Sequence, residues 1–531
     1  LRFAGAVGAG VVAAFGQAPY DLPIIMFLSA VALVFLFRYS ARPLQAAAVG
    51  WGFALGYFMH GWTWLLSPFM VDAERYAWMA PFALVLLCGG LALFWGLAFG
   101  VARWLSPRSW PLIILLPAGE LLRGYLFTGF PWGMFSQGLV NLWPGQGLAV
   151  IGPYGMTLLF VGLAVACARP ASGGLLRRVG LYALWGVAAL LLILPFNRSG
   201  AALTDFTIRM VQPNAAQKDK WDPAKIPEFF DRQLALTSAP PAPGSPEPDL
   251  ILWSETAIAW PLDLAQGALD YISAAADGKP VVLGVQRRTE TQFYNSAVLL
   301  GPSANVTQTY DKHHLVPFGE YVPFADVMNR WGIRGIASQF NSGFSAGPGA
   351  ELMDLGPLGQ ALPLICYEAV FARDVNAAPK RPAFLMQLTN DAWFGKGQGP
   401  LQHLAQARMR AIEQGLPMAR VANTGVSAMI DPWGQVTASL ALNQAGFLDA
   451  RLPAPRAATI YSRLGEWPFL AILFAGFSAL VVVRSRESAK VKVCPACSSK
   501  LSPIYRPQRL PDVAKKSIGA LHVPQELYLH L

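Results

Sequence analysis

Between Arg169 and Val493 the chain holds a single cysteine, Cys366. It lies in the run Leu362-Pro363-Leu364-Ile365-Cys366-Tyr367-Glu368, which reads as a short buried strand ending on the thiol. Periodicity alone would also allow a helix fragment; Pro363 and the nearby Gly356 and Gly359 favour the strand. A lone thiol there has no partner in this region for a structural disulfide. It is either an inert core cysteine or a nucleophile. A nucleophilic thiol needs a base to supply thiolate at neutral pH, and a nearby carboxylate can take its proton. Its attack on an acyl carbonyl builds an oxyanion, which a fixed ammonium and a backbone N–H can stabilise.

Two other segments bring those groups to strand ends. Asp249-Leu250-Ile251-Leu252-Trp253-Ser254-Glu255 finishes on a carboxylate, and the segment Tyr310 to Pro323 carries Lys312. In open α/β sheets ligands bind beyond the carboxyl ends of strands, so the three groups can converge. His313 and His314 suggest a Cys–His dyad instead, but Glu255 and Lys312 already supply both roles.

The elements that must position these residues occupy 205–455, where apolar runs shorten to five or six residues between Pro, Gly and Asp. Strands are expected at 206–212, 249–253, 281–286, 295–300, 361–366, 383–389, 418–422 and 426–430. Helices are expected near 225–237, 263–277 and 400–414. Residues 238–248 form a Pro-rich loop. Strands mixed with amphipathic helices indicate a layered α/β or α+β domain.

The rest of the chain has another composition. Of its 531 residues, 54% are hydrophobic and only 14% charged, and mean hydropathy is +0.38. Soluble domains carry about 25% charged residues, so this is a membrane protein with a polar insert. The net charge of +10 invites a nucleic-acid reading. The basic residues are short clusters between apolar runs, which fits membrane topology better and makes nucleic acid no partner. Spans are expected near 2–16, 22–37, 44–66, 77–105, 111–127, 147–168, 179–195 and 466–483. A cleaved signal peptide is the alternative for 1–16, with Arg2 a weak n-region and Ala18-Pro19 a poor cleavage site. Arg38 and Arg42, Arg103 and Arg108, Arg169 with Arg177 and Arg178, and Arg484 with Arg486, Lys490 and Lys492 fall on one side if there are eight spans. The positive-inside rule makes that side cytoplasmic and puts 197–464 outside. Glu120 and Arg123 sit three residues apart in an apolar run, as a functional intramembrane pair or, preferably, a structural one. Cys494-Pro495-Ala496-Cys497 is half a zinc ribbon. His522 and His530 follow at poor spacing, so a basic tail without metal is the expectation.

The words around the three reactive groups are specific. Glu255, Lys312 and Cys366 follow the order Glu…Lys…Cys of the nitrilase, or carbon–nitrogen hydrolase, superfamily. The chain resembles its membrane branch, the apolipoprotein N-acyltransferases, in Trp253-Ser254-Glu255-Thr256, Tyr294-Asn295-Ser296, Lys312 to Pro323, Ile365-Cys366-Tyr367-Glu368 and Thr389 to Gly395. Ala18-Pro19-Tyr20-Asp21, Glu120 to Gly124 and Phe127 to Trp132 extend the likeness to the apolar half, from about residue 3 to 485. Ser254 departs from it: the family often has proline before the glutamate.

The resemblance implies Glu255 as general base, Lys312 as oxyanion stabiliser and Cys366 as the acylated nucleophile. It implies Glu320 in a loop over the site and Glu368 supporting the cysteine. Trp221, Asn295, Tyr367 and Trp393 would shape a lipid pocket or steady the triad, with core packing the plainer role for the two tryptophans. The implied fold is a bundle of about eight membrane helices with an inserted, extracytoplasmic nitrilase-like αββα sandwich. Residues 1–200 would hold spans one to seven, 201–460 the periplasmic catalytic domain, 461–488 the last span and 489–531 a cytoplasmic tail. The implied enzyme is a monomer in a bacterial inner membrane. It takes an acyl chain from a phospholipid, holds it as a thioester and passes it to the amine of a diacylglyceryl-cysteine apolipoprotein, with no metal or diffusible cofactor. Two rivals share parts of this pattern: a membrane-tethered amidase or nitrilase with water as acceptor, and a non-catalytic lipid-binding scaffold. Eight spans weigh against the first, and three reactive groups at strand ends against the second.

Overall fold

The strands expected in the polar middle are all present and pair into two six-stranded sheets. A computed structural model describes residues 1–169, 174–197, 200–323 and 343–492. Cys494, Cys497, His522 and His530 lie outside the described residues, so the half-ribbon reading is not addressed by it.

The first sheet contains β1 (Leu203–Gln212), β2 (Leu250–Trp253), β3 (Val281–Arg288), β4 (Phe293–Leu300), β5 (Val306–Asp311) and β12 (Gly446–Pro453), in the order β12-β1-β2-β3-β4-β5. The second contains β6 (Met353–Asp354), β7 (Gln360–Ile365), β8 (Phe384–Thr389), β9 (Met418–Ala422), β10 (Ser427–Ile430) and β11 (Val436–Leu440), in the order β11-β10-β9-β8-β7-β6. Each has a parallel core, β1-β2-β3 and β7-β8-β9, flanked by antiparallel strands.

Strand alternation sets the layers, because successive side chains face opposite sides of a sheet. Leu250 and Leu252 of β2 join Met386 and Leu388 of β8 in one buried cluster between the sheets. Ile251 and Trp253 face the other way, onto helices carrying Phe230, Leu269 and Ile272. Leu362, Leu364 and Leu385 likewise pack outward against Ala407 and Ala411. The result is helix, sheet, sheet, helix.

All eight expected apolar segments are helical. The helices are α1 (Arg2–Ala13), α2 (Pro23–Arg38), α3 (Pro43–Gly61), α4 (Ala80–Leu105), α5 (Leu112–Tyr125), α6 (Leu148–Cys167) and α7 (Leu175–Ile193). In the sandwich follow α8 (Ile226–Ser238), α9 (Gln266–Ala275) and α10 (Gln398–Gln414), and near the end α11 (Trp467–Lys492). Among the described residues, four stretches are long and apolar enough to cross a membrane by length and composition: Ala73–Leu105, Trp143–Cys167, Leu175–Ile193 and Trp467–Ser485. Arg2–Gly16 and Pro23–Arg38 are shorter and apolar. α1 and α3 touch backbone to backbone, since a Cβ on Gly56 would lie 2.1 Å from Val7 O, and one on Gly10 would lie 2.0 Å from Phe53 O.

The chain divides into two compact units, Leu1–Ser478 and Ala479–Leu531. In the first, the sandwich rests on one end of the apolar helices, and Gln402 of α10 marks the seam. Its amide donates to Ala18 O (3.1 Å) and Gly61 O (3.0 Å) and accepts from the indoles of Trp132 (2.8 Å) and Trp64 (3.3 Å). Nearby, the buried pair Glu120–Arg123 (2.6 Å) takes the Trp95 indole N–H on its carboxylate. Its guanidinium donates to Phe130 O (2.5 Å) and Trp132 O (2.8 Å). The pair therefore braces α5 against α4 and the loop that meets the sandwich.

Candidate active site

Glu255 follows β2 in a sharp turn in which Thr256 has φ 43°. The turn lies directly on β3, where a Cβ on Gly284 would come within 2.6 Å of Glu255 Cα and Ser254 O. Only glycine leaves room there. The carboxylate is buried, with 6% exposure. Its Oε1 accepts from Asn295 Nδ2 (2.7 Å), and its Oε2 accepts from the Asn390 N–H (2.8 Å).

Lys312 follows β5, with its N–H on Asn295 O (2.9 Å). Its Nζ is 3.6 Å from Glu255 Oε1 and 2.9 Å from Glu320. Asn295 Nδ2 also donates to Glu320 Oε1 (3.0 Å), so one amide spans both carboxylates. Glu320 is fixed in turn by the Val316 N–H (2.8 Å). Burial works against the Lys312 charge, but Glu320 and Glu255 outweigh it and raise the pKa, leaving a fixed cation.

Cys366 follows β7 in the left-handed region, at φ 51°, and opens a short 3-10 turn, Cys366–Val370. Burial raises its thiol pKa far above the ordinary value, Glu255 adds to that and Lys312 opposes it. The resting group is therefore a thiol, and nucleophilic use of it would require its proton to leave. Glu368 is fully buried and ties this turn to the lysine segment. It accepts from the Ile365 N–H (2.7 Å), the Tyr310 hydroxyl (2.9 Å) and the His313 N–H (2.8 Å). His313 lies against Glu368 (2.8 Å) and His314 against Asp374 (2.6 Å), so both imidazoles are committed to carboxylates.

The other residues singled out in the sequence are placed less uniformly. Tyr367 donates its hydroxyl to Gly129 O (3.3 Å) in the loop ahead of Trp132. Trp221 is 38% exposed, so it is not core. It lines an apolar cleft with Phe229, Phe230, Trp260 and Lys220. Trp393 is half-buried in the turn Asp391–Phe394, and its side chain makes no hydrogen bond or ring contact among the described residues. Phe394 is the aromatic that packs there, against Trp64, Trp132 and His403.

Sequence reasoning missed two groups. Lys220 is buried and donates to Glu255 O (3.2 Å) and Thr256 Oγ1 (3.1 Å), bracing the Glu255 turn; burial lowers its pKa to about 8. Behind Cys366 sit Gln387, Asp391, His403 and Arg420, each at 0% exposure. The signal for them was charge inside apolar elements, visible at Arg420 in β9 and at His403 in α10.

A thiol, a carboxylate and an ammonium held between two such sheets belong to the nitrilase-like class of enzymes, and residues 229–461 match the carbon–nitrogen hydrolase family. Residues 9–166 match the apolipoprotein N-acyltransferase N-terminal domain. The apolipoprotein N-acyltransferase of Rhodopseudomonas palustris is 38% identical over 506 residues, 90% of this chain and 94% of its own. Those of Brucella melitensis and Bradyrhizobium diazoefficiens are each 37% identical, over 84% and 91% of this chain and 89% and 95% of theirs. A carbon–nitrogen hydrolase superfamily structure from Xanthomonas campestris aligns at TM-score 0.34 and 21% identity, over 50% of this chain and 96% of its own. The chain belongs to the apolipoprotein N-acyltransferase family.

Proposed function

We propose that this enzyme moves an acyl chain from a phospholipid to the N-terminal amine of a diacylglyceryl-cysteine apolipoprotein, through a thioester on Cys366. The observation that carries this reading is the seam: the residue after the nucleophile, Tyr367, is hydrogen-bonded to Gly129 in the apolar half. A tethered hydrolase would have no need to build its thiol site against the membrane helices.

In the first half-reaction Sγ attacks the ester carbonyl carbon while Glu255 takes the thiol proton. Lys312 and the Tyr367 N–H stabilise the oxyanion. The intermediate collapses to the thioester, and the departing alkoxide of the lysophospholipid recovers the proton from Glu255. In the second half-reaction the amine attacks the thioester carbon, Glu255 accepts the amine proton, and the amide forms as the thiolate leaves and is reprotonated. Lys220 and Asn295 keep Glu255 aimed throughout. Trp221, half-exposed in its apolar cleft, suits an acyl chain; Trp393 does not line that cleft.

The proposal includes eight spans in a bacterial inner membrane, with the sandwich in the periplasm and the enzyme working as a monomer. Two observations support that placement. Arg38 donates to Ala168 O (2.5 Å) and Arg103 to Phe37 O (2.5 Å), which brings three basic loops together at the end of the helices away from Gln402. Phe82, Leu86, Leu93 and Leu97 of α4 are all more than 60% exposed on one face, as lipid contact requires.

One nucleophile and two acyl partners make a ping-pong cycle. Phospholipid alone should add an acyl mass to Cys366 and release lysophospholipid, as read by intact-protein mass measurement. Cys366→Ala should abolish the adduct and Glu255→Gln should suppress it strongly. Acyl transfer by the wild type without any adduct would mean direct transfer. Steady lipid hydrolysis would make water the acceptor.

A further inference from the structure

The four buried side chains behind Cys366 form a closed hydrogen-bonded ring, and the donor and acceptor of each bond can be assigned by elimination. Asp391 is a carboxylate; burial opposes its charge, but Arg420 and His403 bring its pKa down to about 2. It only accepts, so the His403 nitrogen 2.9 Å from it, Nδ1, carries the proton. Thr389 Oγ1 (2.8 Å) and Arg420 Nη2 (2.5 Å) donate to the same carboxylate. Arg420 only donates, so the Gln387 atom 2.5 Å from its Nη1 is the carbonyl oxygen, and the Gln387 NH2 group points the other way. That NH2 group is 3.2 Å from Cys366 O and 3.1 Å from His403 Nε2. Burial keeps His403 below its ordinary pKa, so it is neutral and its Nε2 accepts. Cys366 O and His403 Nε2 are themselves only 3.1 Å apart, which one bridging NH2 group accounts for.

The consequence falls on one peptide plane. Cys366 sits at φ 51°, a conformation a non-glycine residue holds only when its surroundings impose it. In a trans peptide the C=O and the following N–H point in opposite directions. Holding Cys366 O inward on Gln387 turns the Tyr367 N–H outward, and that N–H makes no hydrogen bond among the described residues. We propose that Gln387, oriented by the ring of His403, Asp391 and Arg420, is a positioning residue that locks the Cys366–Tyr367 peptide plane and so aims the Tyr367 N–H at the oxyanion. This rests on the acyl-thioester reading above.

The test separates attack at a carbonyl, which needs the oxyanion donor, from alkylation, which does not. Full-length wild type, Gln387→Met and Gln387→Glu are compared in two assays. One is the rate of acyl-adduct formation on Cys366 with phospholipid micelles. The other is the rate of Cys366 alkylation by iodoacetamide between about pH 6 and pH 9, read on the Cys366 peptide. Gln387→Glu keeps an acceptor for Arg420 but cannot donate to Cys366 O, so it carries the test if Gln387→Met does not fold. His403→Gln, which breaks the ring one step further out, is the third variant. The expected result is a fall of roughly 100-fold in adduct formation, the cost of one oxyanion donor, with alkylation and its pH profile within about threefold of wild type. An equal fall in both rates would mean that the ring places the thiol itself and would overturn the proposal. So would unchanged adduct formation in a folded variant. Absence of any adduct in the wild type would instead sink the thioester reading on which it rests.

Discussion

Lys312 is the residue whose environment constrains substitution most tightly. It is 1% exposed and stands between Glu255 at 3.6 Å and Glu320 at 2.9 Å. Lys312→Met leaves the buried Glu255 and the partly buried Glu320 facing each other without a cation, and breaking such a pair costs up to about 3–5 kcal/mol. Lys312→Arg keeps the charge but forces a broad fork into the space of a compact ammonium, a smaller overpacking cost of about 1–3 kcal/mol. Thermal unfolding in detergent should rank them wild type, then Arg, then Met. Acylation should be severely reduced in both, because the charge sits in the wrong place in one and is missing in the other. Adding Glu320→Gln to Lys312→Met should recover stability without recovering turnover. Near-normal acylation by Lys312→Arg would remove this lysine from the oxyanion role.

The elements around the site are joined by close backbone contact rather than by side chains alone, and β3 shows this best. Gly284 carries the Glu255 turn on its bare Cα. An added Cβ would meet Glu255 Cα, Ser254 O and Thr256 N, all at 2.6 Å. All three are backbone atoms, so no side chain can rotate away, and the turn must lift. Gly284→Ala should therefore destabilise the fold by about 1–3 kcal/mol and displace the Glu255 carboxylate, with a loss of acylation well beyond what that stability change explains. Gly267, in the first turn of α9, has nothing within 4 Å of an added Cβ. Gly267→Ala is the matched control and should keep both stability and activity. Equal activity losses at the two positions would show that the β3 contact has no special role.

For the molecule as a membrane protein, the decisive relation is between the basic loops and the sandwich. Helices α2, α3 and α4 each have one end near the arginine-bearing loops, and Gly61 at the far end of α3 is bonded to Gln402 of the sandwich. If the arginines set topology, the two ends face opposite compartments. Ala41→Cys, in the exposed turn between α2 and α3, should be shielded from impermeant thiol reagents in intact cells and react once the membrane is opened. Ser303→Cys, in the exposed turn between β4 and β5, should react once the outer permeability barrier is breached. Labelling of Ala41→Cys from outside would reject this orientation.

Much of this was legible in the chain because the governing physics is local. Apolar runs near span length identified helices whichever way they pack. Two-residue alternation and short β-branched runs located eight of the twelve strands among the described residues. The four not anticipated, β5, β6, β11 and β12, are flanking strands whose polar Thr, Gln, Asp, Ser and Arg residues blur the apolar signal. Glu255, Lys312 and Cys366 stood out because reactive groups follow apolar runs in a fixed order. Four of the eight apolar segments are clearly long enough to span a membrane, since length on its own does not show how a shorter helix is covered. The supporting shell was out of reach for a different reason. Lys220 reaches Glu255 from 35 positions away, and Arg420 reaches Asp391 from 29. No local pattern encodes such bonds; they exist only when two sheets close face to face and leave buried charges no other partner. Sequence pattern can mark which residues are reactive, but only the folded packing decides which polar groups aim them.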